Sequence, residues 1–126
     1  MTLVLDSGAF VALERSDRAM WRRFKTALLA GDVPVSHGGV VGQVWRGRGS
    51  RQALLAKALS GVNVRALDDA LGRKAGELLA SSRRSDVIDA ALVLLAEDGD
   101  RIVTSDPDDL GALASESGRH IELVRA

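Results

Sequence analysis

Two rhythms of apolar and polar positions alternate along this chain. Thr2-Leu3-Val4-Leu5 is an unbroken run halted by Asp6-Ser7-Gly8, the pattern of a short buried strand that delivers a carboxylate at its C-terminal end. A helix through Val11 to Glu14 is expected to follow. From Asp17 to Ala30, Met20, Trp21, Phe24, Ala27 and Leu28 recur at helical spacing with Arg22, Arg23 and Lys25 opposite, which predicts a packing helix whose aromatics belong to the core. Val33-Pro34-Val35-Ser36 reads as a second strand, and Val40 to Trp45 as a helix despite Gly42.

Arg46-Gly47-Arg48-Gly49-Ser50-Arg51 is a basic, glycine-rich loop, with Ser50 placed to cap a helix carrying Leu54, Leu55, Ala58 and Leu59 and ended by Gly61. Val62 to Leu67 predicts a third strand, Asp68 caps a helix through Leu71, Ala75, Leu78 and Leu79, and Ser81 to Ser85 form a polar connection. Asp86 to Glu97 is helical and apolar almost all round. A strand over Arg101 to Thr104, a helix over Pro107 to Ser117 and a last strand over His120 to Val124 complete the order.

Strands alternating with helices predict one α/β domain over residues 1–126: a three-layer sandwich with a mostly parallel sheet, helices on both faces, and ligands bound at the C-terminal ends of the strands. A length of 126 residues suits a single domain. At 46% hydrophobic and 27% charged, the composition is that of a folded chain and not a disordered one. The absence of cysteine excludes disulfides, thiolate metal sites and a cysteine nucleophile, and no signal core or membrane span is legible. A cytoplasmic location is the expectation. Seventeen basic residues cancel seventeen acidic ones, so any contact with nucleic acid must be local.

The candidate chemistry lies in the aspartates, each of which also has a structural explanation. Asp6 can cap the helix after the first strand, Asp106 followed by Pro107 is a common helix start, and Asp86 can cap with Asp89 completing a capping box. Asp89 fits that account least well, because Val87, Ile88, Ala90, Ala91, Leu92 and Val93 leave its helix without a solvated face. An unpaired carboxylate there is costly unless a cation relieves it. Asp6 and Asp106 both follow parallel strands, and Asp86, Asp108 and Asp109 add charge nearby. Such a cluster is expected to hold Mg²⁺, with Mn²⁺ as substitute, since oxygen-only ligands select against zinc. The chemistry open to it is phosphodiester hydrolysis by a water whose pKa the cation lowers. The two histidines, His37 and His120, are expected at the surface or in core packing.

The early strand ending in Asp6-Ser7, the basic Val44-Trp45-Arg46-Gly47 segment, the helix start Ser85-Asp86-Val87-Ile88-Asp89-Ala90 and the run Thr104-Ser105-Asp106-Pro107-Asp108-Asp109-Leu110 together resemble the PIN-domain family. Within it, the chain resembles VapC-type toxin ribonucleases of type II toxin–antitoxin pairs. The likeness covers essentially the whole chain in order. It implies a metal-dependent endoribonuclease, usually dimeric, held inactive by a cognate antitoxin, with catalytic and metal-binding roles for Asp6, Asp89 and Asp106 and support from Asp108 or Asp109. Many members carry a glutamate where this chain has Gln43, a departure that removes one negative charge.

Arg46, Arg48 and Arg51, with Arg83 and Arg84, are candidates for contacts with RNA phosphates, and Trp45 for stacking on a base or for a dimer or core contact. A PIN domain that binds RNA or protein without cleaving is the alternative that Gln43 keeps open. A phosphoacceptor receiver domain ranks lower, because no lysine follows Lys74. A dinucleotide-binding enzyme is disfavoured for want of a Gly-x-Gly-x-x-Gly turn after a strand.

Overall fold

The structure is a computed structural model and describes residues 1–84 and 86–126. Its elements run β1 (Leu3–Leu5), α1 (Ser7–Glu14), α2 (Arg18–Leu29), β2 (Val35–His37), α3 (Gly38–Val44), α4 (Gln52–Leu59), β3 (Asn63–Arg65), α5 (Asp69–Ser82), α6 (Val87–Leu95), β4 (Arg101–Thr104), α7 (Pro107–Glu116) and β5 (Glu122–Arg125). The five strands form one sheet in the order β3-β2-β1-β4-β5, and every pairing is parallel.

From β1 the chain moves outward to β2 and β3, then returns to the other side of β1 for β4 and β5. The reversal falls between β1 and β4, which pair with Leu5 opposite Val103. At such a switch point the connections on either side leave in opposite directions and open a crevice beyond the strand ends. Val4, Leu5, Ile102 and Val103 are fully buried, as short apolar central strands must be. The helices pack in two groups, α1 to α4 and α5 to α7; α1 rests on β1 and β4, and α6 on β1 and β2. Phe10 and Leu13 on one side and Leu92 on the other are completely enclosed, each contributing about 1.5–3 kcal/mol of burial.

Several local expectations are corrected. The third strand is confined to Asn63–Arg65 and all three residues are exposed, because β3 is an edge strand with one neighbour. Ser50 does not cap α4. Arg51 holds the cap position without a side-chain bond, and the backbone donors of the preceding loop go elsewhere: Gln52 Oε1 accepts from the Arg46 and Gly47 amides at 2.8 and 3.0 Å. Ser81 and Ser82 belong to α5, which ends where Arg83 turns left-handed at φ 58°; Ser85, the end of the expected connection, lies outside the described residues. The helix expected to reach Glu97 stops at Leu95, and the last strand begins at Glu122 rather than His120. Trp21 is only partly buried, with its indole N–H donating to the Leu13 carbonyl at 2.9 Å, whereas Phe24 is in the core as expected.

Candidate active site

Three helices begin where β1 and β4 end or close beside them, and an aspartate caps each. Asp6 follows β1 and caps α1, accepting from the Ser7 amide at 2.7 Å. Asp106 follows β4 and caps α7, accepting from the Asp109 amide at 3.3 Å, with Pro107 in the first turn. Asp86 caps α6, accepting from the Ile88 and Asp89 amides at 3.0 and 3.1 Å. The cap explanation therefore holds for all three. Capping fixes where these carboxylates sit, and each lies at the positive end of a helix dipole.

Asp6 is the buried member, 8% exposed. Its second oxygen, Oδ2, accepts from the hydroxyl of Thr104 at 2.8 Å, and Thr104 Oγ1 in turn accepts from the Asp106 amide at 3.0 Å. A fully buried threonine on β4 thus joins the carboxylate that follows β1 to the backbone of the α7 cap residue. Above it, the Asp6 amide donates to the Val103 carbonyl at 3.0 Å and continues the β1–β4 pairing by one residue.

Asp89 projects from the first turn of α6 and is half-buried. Burial, followed by the charges of Asp86, Asp6, Asp109 and Asp106, pushes its carboxyl from the ordinary 3.8 up to about 7. Those four carboxylates therefore lie within electrostatic reach of Asp89. The Asp109 carboxyl is raised too, first by side-chain hydrogen bonding with Asp106 and then by the Asp106 charge, while Arg84 acts in the opposite direction. Asp108 is exposed beside them.

Among the described residues, no three acidic side chains close into a preformed metal cage. The donor set nevertheless fits a hard divalent cation in kind. It offers only oxygen ligands, and the Asp89 carboxyl, raised first by burial and then by its acidic neighbours, is charge that either a proton or a cation would offset. Asp6, Asp89 and Asp106 are the side chains that would hold such an ion.

The remaining candidates are spread more widely. Gln43 is exposed on α3, and among the described residues its side chain makes no hydrogen bond to the carboxylates. Arg46 is committed to the end of α3, donating from Nη1 to the Gly42 and Trp45 carbonyls and from Nη2 to that of Gln43. Arg48 and Arg51 are exposed around a depression of about 320 Å³ that Glu14 and Gln52 also line. Trp45 is 41% exposed beside this loop. Arg84 stands near Asp109, and Arg83 is exposed.

A cleft of about 490 Å³ runs along α1, lined by Ser7, Gly8, Val11 and Arg15 with Ser105 opposite; none of the cluster carboxylates lines it. A hollow of similar size, lined by Met1, Leu3, Arg22 and Arg101, lies at the N-terminal ends of β1 and β4 and is remote from the carboxylates.

Sequence reasoning gave no role to three residues. Thr104 looked like an ordinary strand threonine, and only its place directly before the Ser105-Asp106 pair hinted at more. Gln52, buried at the start of α4 with Nε2 donating to Glu14 at 3.3 Å, carried no signal. His37 is fully buried and hydrogen-bonded at both ring nitrogens, whereas His120 is at the surface.

No family model matches the sequence, and no curated protein matches it. Among solved structures, the fold is similar to a chain in the crystal structure of VapBC2 from Rickettsia felis bound to a DNA fragment from their promoter, with a TM-score of 0.70 and 14% identity over 98% of each chain. At that identity the likeness shows the fold alone, and the fold is PIN-like.

Proposed function

We propose that this chain is a divalent-cation-dependent endoribonuclease and the toxin of a toxin–antitoxin pair. The observation that carries the reading is the junction at the ends of β1 and β4, where Thr104 joins Asp6 to the Asp106 amide, with the charges of Asp6, Asp86, Asp106 and Asp109 all felt at Asp89. The likeness to a chain of VapBC2, described as a pair on promoter DNA, supports the toxin–antitoxin assignment.

Mg²⁺, or Mn²⁺ in its place, would supply a water acidified toward neutral pH and neutralise charge on the departing oxygen. The chain's own residues do the rest. Asp6 is held rigid by two hydrogen bonds, one to each oxygen. Asp106 is fixed by its cap, and Asp89, whose carboxyl burial and the neighbouring aspartates raise to about 7 in the cation-free protein, would hold the ion in its charged form. Arg84 at the rim, with Arg48 and Arg51 farther off, would meet RNA phosphates. An antitoxin covering the aspartates and a homodimer complete the proposed assembly. Among the described residues no helix is long and apolar enough to cross a membrane.

The test is to incubate the purified protein with total bacterial RNA, with and without Mg²⁺ or Mn²⁺, beside Asp89→Asn, and to map new 5′-phosphate ends by sequencing. Ends that require both the metal and Asp89 are expected. A folded protein that yields none favours the second reading, a module that binds RNA or protein without cleaving, to which the exposed neutral Gln43 already points.

A further inference from the structure

His37 is the last residue of β2 and the N-cap of α3. Its imidazole is completely buried, with Nδ1 3.0 Å from the Gly39 amide and Nε2 2.9 Å from the Ile88 carbonyl. The Gly39 N–H can only donate, so Nδ1 is the acceptor; Nε2 then carries the ring hydrogen and donates to Ile88. One neutral imidazole thereby caps α3 and grips the backbone of α6 one residue before Asp89.

The fit around the ring is close. A β-carbon at Gly39 would stand 2.9 Å from His37 Cε1 and 3.2 Å from Ile88 Cγ1, so the α3 start, the ring and the α6 turn can meet only because residue 39 has no side chain. Serine, threonine, aspartate or asparagine would cap α3 equally well. None of them reaches from β2 to the Ile88 carbonyl as an imidazole does, so the cap alone does not account for histidine.

We infer that His37 is a positioning residue: the His37–Ile88 hydrogen bond sets the place of the first turn of α6, and with it the distance of Asp89 from Asp6 and Asp106. This rests on the reading of those carboxylates as a cation site, and the experiment separates the two. Supporting bonds one step removed from a ligand typically change metal affinity about 10–100-fold.

Two variants divide the functions of the ring. His37→Asn keeps an α3 cap and gives up the reach to Ile88, whereas His37→Gln keeps a donor of similar reach and gives up the cap. Mn²⁺ binding is measured on RNA-free protein by electron paramagnetic resonance, alongside melting temperature and amide exchange at Ile88 and Asp89. His37→Asn is expected to bind Mn²⁺ at least about tenfold more weakly and to exchange the α6 first-turn amides faster, with His37→Gln nearer wild type in both.

A folded His37→Asn with wild-type Mn²⁺ affinity and wild-type exchange overturns the inference. If the wild type binds no Mn²⁺, the cation reading fails and the exchange data alone decide the positioning role. If neither variant folds, ¹⁵N correlation of the wild-type imidazole decides: a hydrogen on Nε2, protected from solvent, upholds the inference, and one on Nδ1 overturns it.

Discussion

Thr104 donates its hydroxyl hydrogen to Asp6 Oδ2 at 2.8 Å across 98 residues of sequence, tying the ends of the two central strands together beneath the acidic cluster. Valine has nearly the same shape and neither donor nor acceptor. Thr104→Val would leave Asp6 Oδ2 and the Asp106 amide without their partner, a loss of about 1–3 kcal/mol for an unsatisfied buried group. Thr104→Ser keeps both bonds and removes one methyl, at about 1 kcal/mol. Urea unfolding is expected to order them wild type, Ser, Val, and the Val variant is expected to cleave RNA least.

Asp89 gives the metal-free protein a distinctive pH dependence. Its folded carboxyl lies near 7 against 3.8 for the ordinary group. Between those values the folded state binds a proton that the unfolded state has lost, so this group's contribution to stability falls as pH rises through the window and is level above it. Melting temperatures from pH 4 to 8 are expected to show that slope in the wild type and to lose it in Asp89→Asn. Saturating Mg²⁺ is expected to flatten the upper part, because the cation takes the place of the proton.

Gly8 lets α1 approach the turn after β4. A β-carbon there would lie 2.6 Å from both Cβ and Oγ of Ser105 and 2.7 Å from its amide nitrogen. In an open helix, alanine gains about 1 kcal/mol over glycine. Here overpacking of about 1–3 kcal/mol works against that gain. Gly8→Ala is expected to lower the melting temperature and, by displacing Asp6 from Thr104, to lower cleavage further than the stability loss alone explains; wild-type activity would contradict this.

The arginines of the loop after α3 are expected to divide. Arg46 is engaged with three carbonyls at the end of α3, so Arg46→Ala should act on stability, by about 1 kcal/mol. Arg48→Ala with Arg51→Ala should leave melting unchanged and weaken RNA binding, with the salt dependence reduced by about 0.7 in slope for each single-strand phosphate that is no longer neutralised. A salt slope unaltered by the double change would remove this loop from the RNA-binding surface.

Gln43→Glu adds a carboxylate to α3. If the helix lends its side chain to the cation site, the change should tighten Mn²⁺ binding and raise cleavage severalfold; no change in either would place Gln43 outside it.

Much of this was legible in the sequence because the strands are short, apolar and buried. Leu3 to Leu5 and Ile102 to Val103 declared themselves by composition, and the parallel order followed from the helices between them. Asp6, Asp86 and Asp106 were legible as caps because each follows a strand or starts a helix, places where one residue's role is visible locally. The edge strand β3 was overestimated, since exposed Asn63–Arg65 has no hydrophobic signature to mark its ends. Thr104 and His37 escaped because their partners are far away in sequence: Asp6 lies 98 residues from one and Ile88 lies 51 from the other. Arg46 was read by charge alone, which cannot show that its guanidinium also donates to helix carbonyls.

The doubling of helix cap and carboxylate shapes how such a protein can diverge. Asparagine caps a helix as well as aspartate does. At Asp86 and Asp106 the exchange would leave the helix starts intact while discarding charge. Asp6 is different, because one oxygen receives the Ser7 amide and the other the Thr104 hydroxyl, and an amide has only one oxygen to offer. Descendants released from selection for activity should therefore lose their acidic residues first from the α6 and α7 starts, with Asp6 persisting longest as a relic kept by folding rather than by chemistry.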